Sequence, residues 1–329
     1  MIAIEGISDH PLQQDRFDST SSSRSQLSGD LHSSSSSQSA TRTLASDWKS
    51  TTWNERAFVR GEVLAGIYEI GDLLGQGGMG QVFAAVDRKN GREVAIKTTW
   101  SRKDSDTLRN EAHVLAGLQH PGIVKFHGLE SHDEATFMVM ERLRGSNLQS
   151  EMALWTSAGA HSMGCVIDCL IGVCDALEAI HASGYAHRDL KPQNIVLVDA
   201  GRPVVIDFGL AIHKDEMDSE LRMAGSPHYI APETIQSRVT KGHGHLIDIY
   251  ALGVLAFEML TGRPPFRHCV LRKILDMHLN AKPPRLSQCA ASVPVALEQL
   301  VASMMDKRPQ SRPQSAGDVA ARLRAIRCN

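Results

Sequence analysis

Two short polar segments in the middle of the chain restrict its fold more than any other feature. Residues 187–194 read HRDLKPQN, and residues 207–209, which begin thirteen positions later, read DFG. Charged and amide groups like these are costly to bury without partners. Asp189, Lys191, Asn194 and Asp207 are therefore candidates for one shared polar site.

The first 57 residues differ in composition from the rest of the chain. They are rich in serine and poor in aliphatic residues, with runs such as SSSRSQ and SGDLHSSSSSQS. Such a segment cannot bury enough apolar area to offset the entropy lost on ordering. We therefore expect a flexible tail over residues 1–57 and a folded domain over residues 58–329.

Hydrophobic periodicity divides the folded part into two regions. One helix around Val114 accompanies strand-like runs at residues 68–74, 81–86, 93–98, 123–127 and 136–141. After residue 145 the pattern changes to long helices, at residues 162–182, 246–261, 270–279 and 294–304. We expect an α+β fold. A small lobe at about 66–143 would hold a five-stranded antiparallel sheet and one helix, and a larger, mainly helical lobe would follow at about 144–327.

Composition argues against several functional classes. Hydrophobic residues make up 42% and charged residues 22%, and the formal net charge of -2 is unsuited to general binding of nucleic acid or anionic membrane. The apolar stretches 166–180 and 247–260 contain acids and are too short to span a bilayer, so we expect core helices and no membrane span. The six cysteines include no CxxC pair, and the N-terminus lacks a signal-peptide pattern, so we expect a reduced, cytoplasmic protein.

A glycine cluster, GQGGMG, lies between the first two predicted strands. Closely spaced glycines let backbone N–H groups approach phosphate oxygens without obstruction by side chains. A dinucleotide-binding fold would need a helix to start at the last glycine, whereas here the strand-like run QVFAAV follows. The cluster therefore predicts a hairpin tip that binds phosphate, with an ordinary glycine-rich turn as the alternative. Its residues are Gly75, Gln76, Gly77, Gly78, Met79 and Gly80.

A lysine and a glutamate are predicted to form an ion pair. Lys97 ends the run VAIK, and Glu111 lies on the apolar face of the predicted helix beside Val114 and Leu115. A carboxylate on such a face needs a cation, because an unpaired buried charge is strongly unfavourable. We expect the pair to hold Lys97 against the α and β phosphates of a nucleotide.

The two polar segments fit phosphoryl transfer. This reaction needs an aligned hydroxyl, a carboxylate that accepts its proton, and cations on the phosphate oxygens. Asp189 fits the base and Lys191 a contact to the γ-phosphate. Asn194 and Asp207 offer the oxygen ligands that Mg²⁺ or Mn²⁺ prefers. Each residue alone also occurs in ordinary loops, but their order behind the glycine cluster favours the catalytic interpretation.

These motifs resemble those of eukaryotic-type Ser/Thr protein kinases. GQGGMGQV, VAIK, HRDLKPQN, DFG and APE match the motifs of that family in order, and the resemblance extends from about Gly66 to Arg327. GGMG and the run HPGIV at residues 120–124 are most like bacterial members. The Lys-Pro pair of the catalytic loop is typical of Ser/Thr rather than tyrosine kinases. The resemblance implies the bilobal kinase fold, the use of ATP with Mg²⁺, and protein substrates.

The same resemblance implies roles for further residues. Those expected around the adenine are Met140 as gatekeeper, the backbone of Glu141 and Leu143, and Val82, Ala95 and Val196 against the ring. Those expected to stack as the spine of an active kinase are Leu115, Phe126, His187 and Phe208. Glu233 of the APE motif is expected to pair with Arg312, and Asp248 to hold the backbone of the catalytic loop.

The activation segment, residues 207–233, offers acceptors for autophosphorylation. Ser219 and Ser226 carry its aliphatic hydroxyls before the APE motif, and Ser226 stands where the family usually has a threonine. Arg188 directly precedes Asp189, which is typical of kinases controlled by phosphorylation of this segment, because the arginine pairs with the phosphate. We expect autophosphorylation at Ser219, at Ser226 or in the N-terminal tail.

Substrate preference and competing interpretations follow from a few positions. Gln193 and Asn147 occupy places where arginine-selective kinases carry acids, so we expect little preference for arginine before the acceptor.

A pseudokinase scaffold is disfavoured because Lys97, Asp189 and Asp207 are all present. A kinase of small molecules is disfavoured because such enzymes seldom keep the APE–arginine pairing. In a third interpretation the Ser-rich tail is a docking arm supported by the kinase domain.

Overall fold

A computed structural model describes residues 57–78, 80–100, 105–133, 135–158, 162–216, 224–290 and 293–328. Three expectations fall outside these residues: the flexible tail up to residue 56, Met79 of the glycine cluster, and Ser219 of the activation segment.

The first part of the described chain is an antiparallel sheet with one helix. In chain order its elements are β1 (Val63–Leu64), β2 (Tyr68–Gly77), β3 (Gly80–Asp87), β4 (Arg92–Thr98), α1 (Ser105–Ala116), β5 (Phe126–His132) and β6 (Ala135–Glu141). The six strands are ordered β1-β2-β3-β4-β6-β5, and every neighbouring pair is antiparallel. The apolar face of α1 buries Leu108, Val114 and Leu115, as the helical spacing predicts.

The sheet differs from the sequence prediction in two details. It has a sixth strand, β1, whose two residues are too few for a periodic signal; Leu64 pairs with Tyr68 across a turn at Ala65 and Gly66. The run predicted at residues 123–127 forms a strand only from Phe126 onwards. Ile123 instead bridges to Val205 in the second part of the chain, so a contact distant in sequence decides its conformation.

The second part is mainly helical. Its helices are α2 (Leu148–Ala158), α3 (Met163–Ala182), α4 (Pro232–Ile235), α5 (His245–Thr261), α6 (Leu271–Asn280), α7 (Leu286–Cys289), α8 (Val295–Met304) and α9 (Ala316–Arg327). Five short strands accompany them, namely β7 (Gly145–Asn147), β8 (Tyr185–Ala186), β9 (Ile195–Val198), β10 (Arg202–Val205) and β11 (Ile212–His213). They form a three-stranded sheet, β10-β9-β7, and a two-stranded sheet, β11-β8. The predicted α+β fold with a sheet-rich part and a helical part is confirmed.

Local sequence sets the ends of the long helices. Ser162 caps α3, because its side-chain oxygen accepts a hydrogen bond from the Cys165 N–H. Helix α5 ends at Gly262, whose φ of 73° is readily adopted only by glycine. The four predicted helices correspond to α3, α5, α6 and α8, while α2 and α9 were not predicted.

Helix α5 lies in the centre of the helical part. From Leu246 to Met259 each of its residues is buried, including the charged Asp248 and Glu258. One hydrophobic cluster extends from this helix to Leu108 of α1 and Met138 of β6, so the sheet and the helices share a core. No helix among the described residues is long and apolar enough to cross a membrane.

Candidate active site

The glycine cluster forms the tip of the hairpin between β2 and β3, as predicted from the strand that follows it. The strands pair as far as Gly77 opposite Gly80. Gly80 is required by the fold, because its φ is 136° and a Cβ there would lie 1.9 Å from the Thr98 carbonyl oxygen. A Cβ on Gly77 or Gly78 would meet no atom of the described residues within 4 Å. The space beside these two glycines is therefore open to a ligand.

Lys97 and Glu111 form the predicted ion pair, and Asp207 joins it. The Lys97 Nζ lies 2.7 Å from both carboxylate oxygens of Glu111 and 2.7 Å from Oδ1 of Asp207. Lys97 and Glu111 are buried. The Phe208 N–H also donates to Glu111, at 3.2 Å. The sheet, helix α1 and the DFG segment thus meet at one ammonium group.

Electrostatics keep Lys97 and Asp207 charged, whereas burial raises the pKa of Glu111. Burial alone would lower the pKa of Lys97, but the negative charges of Glu111 and Asp207 outweigh it and raise the pKa to about 12. Burial alone would raise the pKa of Asp207, but the charge of Lys97 outweighs it and the pKa lies below its usual value. Lys97 therefore remains a cation and Asp207 an anion at neutral pH.

Asp189 is buried and fully hydrogen-bonded. Its Oδ1 accepts bonds from the N–H and the hydroxyl of Ser226, both at 2.9 Å. Its Oδ2 accepts from Lys191 Nζ at 2.6 Å and from Asn194 Nδ2 at 3.1 Å. Lys191 Nζ also donates to the Ser226 hydroxyl at 3.0 Å. The structure therefore brings together the predicted base, the predicted phosphate contact and one predicted metal ligand.

Asp248 of α5 holds the backbone of the catalytic loop, as expected. Its carboxylate accepts from the N–H groups of His187 and Arg188, each at 2.8 Å. His181, a residue that the sequence analysis missed, completes this site with its Nε2 at 2.9 Å from Asp248. Arg188 and Asp207 have φ values of 66° and 64°, a region costly for residues with side chains. Such strain persists only where surrounding contacts fix the backbone.

The residues expected around the adenine belong to one hydrophobic cluster. Ala95 and Met140 face each other on β4 and β6 and are buried, whereas Val82, Leu143 and Val196 are half-buried at its edge. The N–H of Glu141 donates to the Lys125 carbonyl at 2.8 Å. This N–H is therefore not free to bind a ligand. Among the described residues the Leu143 N–H has no partner.

The structure shows one ring contact of the expected spine, and it shows the expected APE contact. The rings of His187 and Phe208 lie 4.9 Å apart, and Leu115 and Phe126 belong to the same cluster as Phe208. Separately, the buried Arg312 guanidinium binds both carboxylate oxygens of Glu233, at 2.7 and 2.8 Å. This paired geometry fixes the end of the activation segment against the helical part.

The two positions linked to substrate preference have internal partners. Gln193 donates from Nε2 to Gln149 Oε1 at 3.1 Å. Asn147 accepts from the Ser150 N–H at 2.9 Å and thereby caps the start of α2. An acid that the sequence analysis did not assign to the site is Glu258, which accepts a short hydrogen bond from the Tyr229 hydroxyl. Only its position on a buried helix could have signalled it.

Comparisons with known proteins agree with this geometry. A profile of the protein kinase domain matches residues 68–321. The serine/threonine-protein kinase PknA of Mycobacterium tuberculosis is 32% identical over 281 residues, which cover 81% of this chain and 63% of PknA. The probable serine/threonine-protein kinase PknB of Corynebacterium glutamicum is 32% identical over 278 residues, which cover 79% of this chain and 42% of that protein. The chain therefore spans less than two thirds of the length of these relatives.

Proposed function

The chain belongs to the protein kinase family, and we propose that it transfers the γ-phosphate of ATP to Ser or Thr hydroxyls of protein substrates. The observation that carries this proposal is the buried Asp189 carboxylate, on which Lys191, Asn194 and Ser226 converge. Relatives with similar sequences bear the name serine/threonine-protein kinase. The Lys191-Pro192 pair of the catalytic loop supports the same acceptor class.

Asp189 is proposed as the base that takes the proton of the acceptor hydroxyl. Its Oδ1 already accepts a hydroxyl hydrogen bond from Ser226 at 2.9 Å, which is within the range needed for proton transfer. Lys191 lies beside the same carboxylate and is proposed to contact the γ-phosphate, where positive charge stabilises the transition state. The bonds to Asp189 orient it without help from substrate.

Asn194 and Asp207 are proposed to bind Mg²⁺, with Mn²⁺ as an alternative. Both offer oxygen ligands, Asp207 is ionised, and Asn194 uses its Nδ2 to bind Asp189, which leaves its Oδ1 for a cation. Among the described residues no three His, Cys, Asp or Glu side chains cluster as metal ligands. This suits an ion that takes most of its ligands from phosphate and water. The ion would neutralise charge on the phosphate oxygens.

The phosphates of the nucleotide are proposed to lie against the glycine hairpin, and Val82, Ala95 and Val196 to sandwich its adenine ring. Lys97, held by Glu111, would contact its α and β phosphates. The unpaired Leu143 N–H would meet the adenine edge. Because the Glu141 N–H is committed to Lys125, its carbonyl is the group proposed for the adenine.

We further propose that residues 1–57 are a phosphorylated tail of a kinase domain at 58–329, and that the chain acts in the reducing cytoplasm. Arg188 supports autophosphorylation of the activation segment, because its buried Nε has no hydrogen-bond partner in the described part of the chain. The proposed reducing compartment is supported by the six cysteines, all of which are free thiols. Mass spectrometry after incubation with ATP should find phosphate on Ser219, Ser226 or tail serines. Unmodified peptides from an active enzyme would refute autophosphorylation.

Arginine before the acceptor is proposed to matter little. Gln193 and Asn147 are uncharged and engaged with Gln149 and Ser150, so neither can balance a substrate guanidinium. Peptide arrays should show at most a few-fold preference for upstream arginine. A preference of about a hundredfold, or roughly 2.7 kcal/mol, would mean that another acid, such as Glu258, binds the substrate.

The activity is tested by incubating the purified full chain with γ-labelled ATP, Mg²⁺ and a library of Ser, Thr and Tyr peptides. We expect label on Ser and Thr, and its loss when excess EDTA removes the divalent metal. Binding of ATP without any transfer would contradict the proposal and favour the pseudokinase interpretation. Transfer that persists in EDTA would exclude the proposed metal site.

A further inference from the structure

A short segment before the matched kinase domain runs along the glycine hairpin. Residues 57–62 precede the matched range, which begins at residue 68. The Gly61 N–H donates to the Ile70 carbonyl and the Ile70 N–H donates to the Glu62 carbonyl, both at 2.8 Å. Through these bonds the segment is joined to β2, one of the two strands of the hairpin.

Phe58 anchors this segment in the sheet. It is 4% exposed, and its ring lies 5.8 Å from that of Phe83 and 6.3 Å from that of Phe137. Burying a phenylalanine side chain contributes about 1.5–3 kcal/mol to the stability of the fold. Because Phe83 belongs to β3, the segment is packed against the second strand of the hairpin as well as bonded to the first.

The segment also reaches the hairpin near its tip. The Ala57 N–H donates to Oε1 of the buried Gln81 at 2.8 Å, and Gln81 Nε2 lies 3.4 Å from Gln76 Oε1 on the opposite strand. On the other side the Trp100 indole N–H donates to the Gly77 carbonyl at 2.6 Å. The open glycines are therefore braced by Gln81 and Trp100, although the glycines themselves have few contacts.

We propose that Gln81 and Trp100 are positioning residues, whose hydrogen bonds fix the distance between the glycine hairpin and the nucleotide. Together with residues 57–62 they form what we call the brace. This inference rests on the proposed ATP-dependent function. A hairpin that is already held in its bound position loses less conformational entropy when ATP binds. Removal of the brace therefore weakens nucleotide binding. The chemistry at Asp189 does not depend on it. The brace therefore acts on the affinity for ATP and on its KM, and hardly on kcat.

The test compares two variants of the full chain with one control. Trp100→Phe keeps an aromatic ring but loses the N–H. Gln81→Met keeps the length of the side chain but cannot form the hydrogen bonds to Ala57 and Gln76. The control, Tyr68→Phe, removes a hydroxyl that donates to Glu130 from β2 at 2.9 Å, at the end of the strand distant from the glycines. Calorimetry gives the Kd for ATP, steady-state kinetics give KM and kcat, and melting without nucleotide reports folding.

We expect Trp100→Phe and Gln81→Met to raise Kd and KM about three- to tenfold, as the loss of a hydrogen bond implies. Their kcat should stay within about twofold, and Tyr68→Phe should resemble the wild type in all three constants. Wild-type ATP affinity in both variants, or an equal loss in Tyr68→Phe, would overturn the inference while leaving the proposed function intact. A wild-type chain that does not bind ATP would refute both.

Discussion

The catalytic loop around Asp189 and the glycine hairpin at residues 75–80 differ in how the protein holds them. The Asp189 carboxylate receives four hydrogen bonds, and the backbone before it is bonded to the buried Asp248. At the hairpin tip, a Cβ on Gly77 or Gly78 would meet none of the described residues within 4 Å, and the Trp100 indole donates to the Gly77 carbonyl. A group that does chemistry must be aligned before substrate arrives. A loop that covers a ligand must open to admit it.

The first prediction tests the ion pair of Lys97 and Glu111, which joins β4 to α1 and to Asp207 of the DFG segment. Lys97→Met should lower turnover about 10²–10³-fold, since it removes the cation that is proposed to contact the phosphates. Glu111→Gln should have a similar effect, because the two residues act as one unit. Steady-state rates of both single variants and the double variant check this. Losses that simply multiply in the double variant would show that the residues act independently.

A second prediction concerns the ion pair of Arg312 and Glu233, which supports the end of the activation segment. Arg312→Met leaves the buried Glu233 carboxylate unpaired and should lower the free energy of unfolding by about 3–5 kcal/mol. Arg324→Met removes a half-exposed pair with Asp175 and serves as the control, with little expected change. Urea unfolding of the wild type, Arg312→Met and Arg324→Met measures their free energies of unfolding. Equal stabilities for the two variants would mean that burial of the Arg312 pair has no consequence.

A third prediction uses pH to probe the same support. His278 is buried against Tyr250, and burial, followed by the charge of Lys307, lowers its pKa to about 3. In the unfolded chain its pKa would be about 6.5. Below that value the unfolded state binds a proton that the folded state does not, so stability falls as pH falls. The slope due to His278 should approach about 1.4 kcal/mol per pH unit.

The variant His278→Asn isolates this contribution, because it keeps a hydrogen-bond partner for Tyr250 but cannot titrate. The free energy of unfolding of wild type and variant should be measured from neutral pH to about pH 4.5, where His278 titrates only in the unfolded chain. The variant should show the shallower dependence on pH. Parallel curves would show that His278 has the same pKa folded and unfolded.

The smallest expected effect lies within the hairpin itself. Gly80→Ala places a Cβ against the Thr98 carbonyl in an unfavourable conformation and should cost about 1–3 kcal/mol of stability. Gly77→Ala meets open space and should change stability by less than about 0.5 kcal/mol. Thermal unfolding distinguishes them. If Gly77→Ala were as destabilising as Gly80→Ala, the tip would be packed and not open.

Local patterns in the sequence were sufficient for part of this account. Helical spacing placed Glu111 on a buried face, and the strand after the glycines identified a hairpin and not a helix. Contacts between distant segments could not be predicted in this way. The Ala57–Gln81 bond, the Trp100–Gly77 bond and the His181–Asp248 contact each depend on tertiary packing. Ile123 was misassigned to a strand for the same reason, since its partner Val205 lies far along the chain.

The central claim is that the two regions divide the work: the catalytic loop carries the chemistry and the hairpin only holds the nucleotide. Asp189→Asn and Trp100→Phe test it together when turnover and the Kd for ATP are measured on both. Asp189→Asn should lose about 10²–10⁴ in turnover with an unchanged Kd, and Trp100→Phe should show the reverse pattern. If Asp189→Asn kept more than half of the wild-type turnover, or if both variants lost affinity and turnover together, the division would be wrong.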